Sequence, residues 1–258
     1  MKQINETIYT ELYGLLGYPL GHSFSARYFR EKFAKENIDA EYRNFEVPSV
    51  GMLPEIIRSH PNLRGLNVTI PYKEKVIPYL DVIDSRAEEI GAVNVICVSH
   101  NAGAVRLVGH NADVIGFMDS LRPLLGPQHT KALVLGTGGA SKAVVYGLHT
   151  AGIETLYVSR RAGEGRITYA DIDRQTMEEY RLIVNCTPLG MSPKVDACPD
   201  IPYGMLTEQH LLYDLVYNPE LTLFLRKGRE HGAKVKNGME MLLRQAEASW
   251  AFWTGKDE

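Results

Sequence analysis

The period of the apolar residues changes repeatedly along the chain, and each change marks a strand or a helix. LYGLLGY (12–18) reads as a buried strand. In the stretch that follows, SARYFREKFAKENI (25–38), Phe29 and Phe33 share one face at i, i+4, which predicts an amphipathic helix. AEYRNFEV (40–47) alternates as a half-buried strand does, 49–60 reads as a helix, and LRGLNVTI (63–70) as the next strand. DSRAEEIG (84–91) predicts a helix with Asp84 as N-cap and Gly91 as C-cap. AVNVICV (92–98) and AVRLVGH (104–110) predict two strands joined by the hairpin-like loop SHNAG. DVIGFMDSLRPLL (113–125) predicts a helix ended by Gly126-Pro127, and 131–152 predicts a strand, a glycine turn and a helix. TLYVSR (155–160), LIVNCT (182–187) and LLYDLVY (211–217) are short apolar runs of the kind that form parallel strands, with helices expected near 171–179, 221–231 and 239–253.

Strand–helix alternation of this sort specifies an α/β fold whose mostly parallel sheets are covered on both faces. Two domains follow, residues 1–112 with 238–258 and residues 113–237, with the C-terminal helix returning to the first. The length, 258 residues, suits two modest domains and needs no disulfide or metal staple to hold a core.

Composition narrows the function classes. A hydrophobic fraction of 45% excludes wholesale disorder, and a net charge of −3 argues against a nucleic-acid partner. Cys97, Cys186 and Cys198 include no Cys-x-x-Cys pair, so neither a disulfide framework nor a structural zinc is expected, and a reducing compartment is. The first ten residues are polar and no 18 apolar residues run together, so no targeting segment and no membrane span are expected. The expectation is a cytoplasmic protein with a small-molecule or protein partner, a monomer or a homodimer, needing no metal.

Gly136-Thr137-Gly138-Gly139-Ala140 follows a strand and opens a helix. Such a turn lets a phosphate approach backbone N–H groups at a helix N-terminus, although tight strand-to-helix turns also use glycine for geometry alone. The second strand ends in Ser159-Arg160-Arg161, where an NAD site would carry an acid. Arginine there suits a 2′-phosphate, against the alternative of a solvated basic turn, and favours NADP. In the first half, Gly21-His22-Ser23-Phe24-Ser25 places two hydroxyls at a helix start, where they cap the helix or bind an anion such as a carboxylate. Asn67-Val68-Thr69-Ile70-Pro71-Tyr72-Lys73 puts Asn67 and Thr69 on one face of a strand and delivers Lys73 at its end, where α/β proteins bind ligands. Asn94, Asn111 and Asp113 add amides and a carboxylate beside apolar runs, while His22 and His110 are read as structural.

In this order and nearly end to end, these pieces resemble the shikimate dehydrogenase family. The resemblance is carried by Ser23-x-Ser25, Asn67-Val68-Thr69-x-Pro71-x-Lys73, Gly91-Ala92-Val93-Asn94, Asn111-x-Asp113-x-x-Gly116 and Gly136-x-Gly138-Gly139-Ala140. It continues through Asn185-x-Thr187-Pro188-Leu189-Gly190-Met191, Asp214-x-x-Tyr217-Asn218-Pro219-x-x-Thr222 and Asn237-Gly238-x-x-Met241-Leu242-x-x-Gln245-Ala246. It implies NADPH-dependent reduction of 3-dehydroshikimate to shikimate in aromatic amino-acid biosynthesis, with residues 1–112 and 238–258 as the substrate domain, 113–237 as a Rossmann-like doubly wound NADP domain, and a cleft between them that opens and closes, since hydride transfer wants water excluded. By the same resemblance Ser23 and Ser25 hold the substrate carboxylate, and Asn67, Thr69, Asn94, Asp113, Tyr217 and Gln245 bind its hydroxyls or border the pocket. Lys73 and Asp113 are the implied catalytic pair, both also in contact with substrate. Gly136, Gly138, Gly139 and Ala140 are implied at the pyrophosphate, Ser159 and Arg160 at the 2′-phosphate, Thr187 and Met191 near the nicotinamide, and Gly238 and Met241 facing the cleft. The chain departs from the family pattern at Ala26, at Phe29-Arg30, at Ala112, and at Ser159 and Arg161 of the cofactor turn, and the second basic residue expected a few positions on is not in place, Arg161 or Arg166 being the candidates to substitute. The alternatives are an NAD-preferring enzyme that also takes quinate, and a non-catalytic sensor of dehydroshikimate.

Overall fold

The structure, a computed structural model, describes residues 10–21, 24–101 and 103–256. Two compact units divide the chain, one of Met1–Asn111 with Ser249–Glu258, the other of Ala112–Ala248. The seams expected near 112 and 238 compare with divisions after Asn111 and after Ala248, the latter inside the last helix.

The first unit is built on the strands β1 (Glu11–Gly17), β2 (Ala40–Glu46), β3 (Leu63–Val68), β4 (Val82–Ile83), β5 (Val95–Asn101) and β6 (Ala104–His110), ordered β2-β1-β3-β5-β6-β4. β2, β1 and β3 run parallel, β5 pairs antiparallel with β3 and β6, and β4 pairs parallel with β6. Helices α1 (Phe24–Glu36), α2 (Leu53–Ser59) and α3 (Ser85–Ile90) connect them. Asp84 caps α3 by accepting from the Ala87 N–H, and Gly91 closes it at φ 68°, both as the sequence predicts. The segment expected as one helix over 49–60 splits into a 3-10 turn, Val50–Met52, and α2, with Pro54 at the helix start. The hairpin strand β5 extends through Ser99 to Asn101, further than its apolar run. One face of the sheet packs Leu16, Leu53, Leu63, Leu66, Val76 and Ile96. The other face carries an aromatic cluster in which Tyr13, Phe29, Phe33 and Tyr42 meet Trp250 and Trp253 of α8 (Met239–Thr254). Gly65 lies so close beneath Trp253 that a Cβ there would collide with the indole, whose Nε1 donates to the Ile96 carbonyl at 3.1 Å.

The second unit holds β7 (Lys131–Leu135), β8 (Glu154–Ser159), β9 (Arg166–Thr168), β10 (Leu182–Asn185), β11 (Leu211–Asp214) and β12 (Lys234–Lys236), with α4 (Asp113–Leu121), α5 (Gly139–Thr150), α6 (Arg174–Glu179) and α7 (Leu223–Glu230). The order β12-β11-β10-β7-β8-β9 is parallel throughout. It is the strand order of the doubly wound dinucleotide fold, with its reversal between β7 and β10. β10 and β11 are buried at every position, which explains their unbroken apolar runs. Leu133, Leu135, Val158, Ile183, Leu212 and Phe224 form this unit's core.

Candidate active site

In a doubly wound sheet, ligands bind beyond the carboxyl ends of the strands where the order reverses. Here that place is the exit of β7 beside the exit of β10. Gly136 leaves β7 at φ 102°, a conformation that side chains rarely adopt, and a Cβ on it would lie 3.0 Å from Thr187 Cγ2. Its N–H donates to the Val158 carbonyl at 2.9 Å, which ties the turn to β8. Gly138, the N-cap of α5, differs: its φ is −82° and a Cβ would meet nothing within 4 Å. The fold therefore does not demand glycine at 138, and the space above the start of α5 is open. Ser141, one turn on, is buried and donates its Oγ to the Gly138 carbonyl at 2.7 Å, holding the turn closed from within. An open helix N-terminus with a glycine lip fits a pyrophosphate.

The rim of that place is at the end of β8. Ser159 Oγ donates to the Arg161 carbonyl at 2.6 Å and accepts from the Arg161 N–H at 3.3 Å, a closed turn that leaves Arg160 and Arg161 exposed. Arg160 lies near Tyr169, and Arg166 is exposed on β9, in register with Tyr157. Cations on a fixed turn at the second strand suit the 2′-phosphate of NADP. Thr187 follows β10 and is held by Asn185, whose Oδ1 accepts from the Thr187 N–H at 3.0 Å and from its Oγ1 at 2.6 Å. Met191 is exposed in the same loop.

Tyr217 is half-buried in the loop after β11. A Cβ on Gly238 would collide with the Leu215 carbonyl, so α8 approaches that loop closely where it begins. Met241 and Gln245 are buried on α8 against α4: a Cβ on Gly116 would lie 2.5 Å from the Met241 carbonyl and 2.9 Å from the Gln245 nitrogen. Asp113, also buried, is the first residue of α4.

In the first unit the polar residues gather where β3 ends. The Val68 N–H donates to the Asn94 carbonyl at 2.8 Å, the Val93 N–H to the Lys73 carbonyl at 2.8 Å, and the Asn94 N–H to the His110 carbonyl at 3.1 Å. Asn111 Nδ2 donates to the Ala92 carbonyl at 2.8 Å. These bonds stitch 67–73, 91–94 and 110–111 into one patch, with Lys73 and Thr69 partly exposed and Asn67 and Asn94 buried. β3 ends at Val68, sooner than its apolar run suggests: the Thr69 N–H makes a last ladder bond to the Leu16 carbonyl of β1, and Pro71 brings no N–H to extend it.

Asn67 has partners within the protein. Its Oδ1 accepts from the Tyr42 hydroxyl at 2.8 Å and its Nδ2 donates to Ser249 Oγ at 2.8 Å. Ser25, in the first turn of α1, hydrogen bonds to the same Tyr42 hydroxyl, whose pKa burial pushes well above its ordinary value against that bond. Tyr42 and Ser249 belong to this polar chain although their sequence context is an alternating strand and a helix face. Only the spacing of polar residues opposite Asn67 would have pointed to them. Ser23 and His22 lie outside the described residues. His110 is structural, paired with Asp84 at 2.8 Å and stacked on Phe252 at 4.4 Å. Burial pushes the Asp84 carboxyl up, but bonds from His110 and the Ala87 N–H outweigh it and hold the pKa below the usual range.

The sequence model of the shikimate dehydrogenase substrate binding domain matches residues 15–96. The shikimate dehydrogenase (NADP(+)) of Desulforamulus reducens is 38% identical to this chain, over 95% of this chain and 90% of its own. The crystal structure of shikimate 5-dehydrogenase from Thermus thermophilus in complex with NADP(H) and shikimate superposes with a TM-score of 0.82 at 31% identity, covering 95% of this chain and 94% of that one. Shikimate 5-dehydrogenase from Listeria monocytogenes in complex with shikimate and NAD gives 0.84 at 29% identity, over 98% and 96%. Among the described residues, no helix is long and apolar enough to cross a membrane.

Proposed function

This chain belongs to the shikimate dehydrogenase family, and from that membership we propose how its own residues carry the reaction. The enzyme is an NADP-dependent oxidoreductase acting on a CH–OH group: it interconverts 3-dehydroshikimate and shikimate on the route to the aromatic amino acids. The observation that carries the assignment of the cofactor half is the strand reversal between β7 and β10, with the Gly136 turn, the open space at Gly138 and the Ser159–Arg161 turn around it. In the proposal Gly136, Gly138, Gly139 and Ala140 receive the pyrophosphate, and Ser159 with Arg160 the 2′-phosphate. Thr187 and Met191 border the nicotinamide, and Gly238 and Met241 its approach.

The chemistry supplied with the bound cofactor is hydride donation to a ketone carbon. Reduction leaves negative charge on the carbonyl oxygen, which must receive a proton. Lys73 donates it and stabilises the developing charge, with Asp113 orienting the ammonium. The patch at the end of β3 supports this role: its bonds fix the Lys73 backbone against Val93 and hold Asn111, two residues before Asp113. Ser23 and Ser25 take the substrate carboxylate, and Asn67, Thr69, Asn94, Tyr217 and Gln245 surround its hydroxyls. The first unit is the substrate part and the second the NADP part. We place the protein in the cytoplasm, as a monomer or homodimer acting on a small molecule, without a nucleic-acid partner.

The test is the absorbance change with shikimate or quinate against NADP⁺ or NAD⁺, in all four combinations. Shikimate with NADP⁺ is expected to give the highest kcat/KM. Preference for quinate with NAD⁺ favours the alternative enzyme, and silence in all four a sensor. The Lys73 role has its own check: Lys73→Met should lower kcat about 100-fold or more, and a variant with wild-type kcat and only a raised KM would make Lys73 a substrate ligand and nothing further.

A further inference from the structure

β10 and β11 each end in a polar residue, and their parallel register sets the two side by side, Asn185 against Asp214. Neither side chain is exposed. A buried carboxylate is unfavourable unless its lone pairs are engaged, and those of Asp214 are. Its Oδ1 accepts from Asn185 Nδ2 at 2.9 Å and from the Val216 N–H at 3.0 Å, and its Oδ2 from Thr222 Oγ1 at 2.6 Å. Each donor stands at the root of a different piece of chain. Asn185, with Nδ2 so committed, turns Oδ1 onto the backbone and hydroxyl of Thr187. Val216 immediately precedes Tyr217. Thr222 caps α7, accepting from the Leu225 N–H at 3.3 Å. Two backbone bonds brace the same loops, Leu215 N–H to the Asn185 carbonyl and Ser192 N–H to the Asn218 carbonyl, both 3.0 Å.

We propose that Asp214 is a positioning residue for the reaction: its two oxygens, through Asn185 and Val216, hold Thr187 and Tyr217 in the placement that cofactor and substrate require. The inference rests on the assignment of Thr187 to the nicotinamide and Tyr217 to the substrate. A role confined to packing does not call for a polar hub here, because well-packed apolar side chains at buried sites are often as stabilising as ionised ones. Burial pushes the Asp214 carboxyl up to about 6, against the opposing bonds from Thr222, Val216 and Asn185, so at neutral pH the ionised form is kept inside at an energetic penalty. What that form provides is acceptor capacity for three donors at once.

Three variants test this by steady-state kinetics with shikimate and NADP⁺. Asp214→Ala removes the acceptor from all three donors. Asp214→Asn keeps the pattern, with Oδ1 accepting from Asn185 and Val216 while its amide donates to Thr222 Oγ1. Asn185→Ala cuts only the branch to Thr187. Asp214→Ala should lower kcat about tenfold or more and raise both KM values, since small misplacements of positioning groups reduce rates steeply. Asp214→Asn should restore both parameters to within about threefold of wild type, and Asn185→Ala should raise the KM for NADP⁺ more than that for shikimate. A folded Asp214→Ala protein with wild-type kcat and KM values overturns the inference, even if it melts at a lower temperature. Should that variant not fold, wild-type kinetics in Asn185→Ala overturn it instead. A wild-type protein inactive with this substrate pair would end the assignment of the site and the inference with it, an outcome distinguishable from the other two.

Discussion

The two units place polar side chains at the ends of buried strands by different chemistry. In the first, the interior chain Ser25–Tyr42–Asn67–Ser249 is made of hydroxyls and an amide, with no formal charge, and it joins α1, β2, β3 and α8 across 182 residues of sequence between Asn67 and Ser249. In the second, Asn185, Val216 and Thr222 converge on the carboxylate of Asp214, none of them more than 29 positions from it. A neutral network loses its value when a member is removed, and that loss is the same at any pH. A carboxylate hub responds to pH as well, since its charge is penalised wherever water is excluded. The contrast predicts that substitutions in the two networks separate by pH dependence as well as by size.

The largest expected effect on stability is in the first unit. Asn67→Leu preserves volume approximately but takes the acceptor from the buried Tyr42 hydroxyl and a donor from Ser249. A buried polar group left without its partner costs about 1–3 kcal/mol. With two groups affected, the variant should lose about 3 kcal/mol and melt roughly 6 to 12 °C lower, at about 2–4 °C per kcal/mol for a protein of this size. The loss should be equal at pH 5 and pH 8, measured by thermal unfolding. A melting temperature within a degree of wild type would break the comparison, because Asn67 would then not be holding the interior of the first unit.

The same contrast shows which parts were legible in the sequence. α3 was readable to the residue because its signals are local: Asp84 caps it and Gly91 ends it. The apolar runs that became β7, β10 and β11 were readable because strands covered on both faces need no alternation. β4, β9 and β12, two or three residues each, were not, since so short a stretch has no period. Among site residues, the Gly136 turn and the Ser159–Arg161 turn announce themselves because neighbours in sequence form them. Asn185, Asp214 and Thr222 stand in motifs that the family resemblance flagged, yet their common purpose depends on the register of two parallel strands, which no local pattern encodes. Tyr42 was hidden further still, in an alternating strand where tyrosine is an ordinary core residue.

The second unit gives a smaller and pH-dependent effect. The Asp214 carboxyl is held near 6 in the folded protein, against 3.8 as its ordinary value. Between those two values the folded state binds more protons than the unfolded state, so stability falls as pH rises through the window and is level above it. A carboxylate held below its usual range, such as Asp84, acts in the opposite sense. Burial also lowers the pKa of His129 and of His210, whose contribution is lost as pH falls below about 6.5. The wild-type curve therefore mixes opposed terms, and the difference between wild type and Asp214→Asn isolates the carboxyl. That variant should gain on the order of 2 to 3 kcal/mol relative to wild type between pH 4 and pH 7. A difference flat across that range, by denaturant unfolding, would mean that Asp214 is not a buried hub, and the two networks would be alike.

The smallest effect belongs to the exposed rim of the second unit, and it shows where the buried part of the comparison ends. Arg160 stands on a turn whose shape is set by Ser159 Oγ, bonded to both the N–H and the carbonyl of Arg161, so removing its side chain leaves the backbone intact. Because it is solvent-exposed, its attraction for a phosphate is screened, and a charge-assisted bond there is worth about 1.4 kcal/mol, or tenfold. Arg160→Ala should accordingly raise the KM for NADP⁺ about tenfold while leaving the KM for NAD⁺, which has no 2′-phosphate, unchanged. The melting temperature should stay within about a degree at every pH, unlike either interior variant. The effect should also shrink as salt is added, since mobile ions compete for the same phosphate. An equal rise for both cofactors would assign Arg160 to the pyrophosphate or the turn itself. No change for either would pass the 2′-phosphate to Arg161 or Arg166, the other exposed arginines at the ends of β8 and β9.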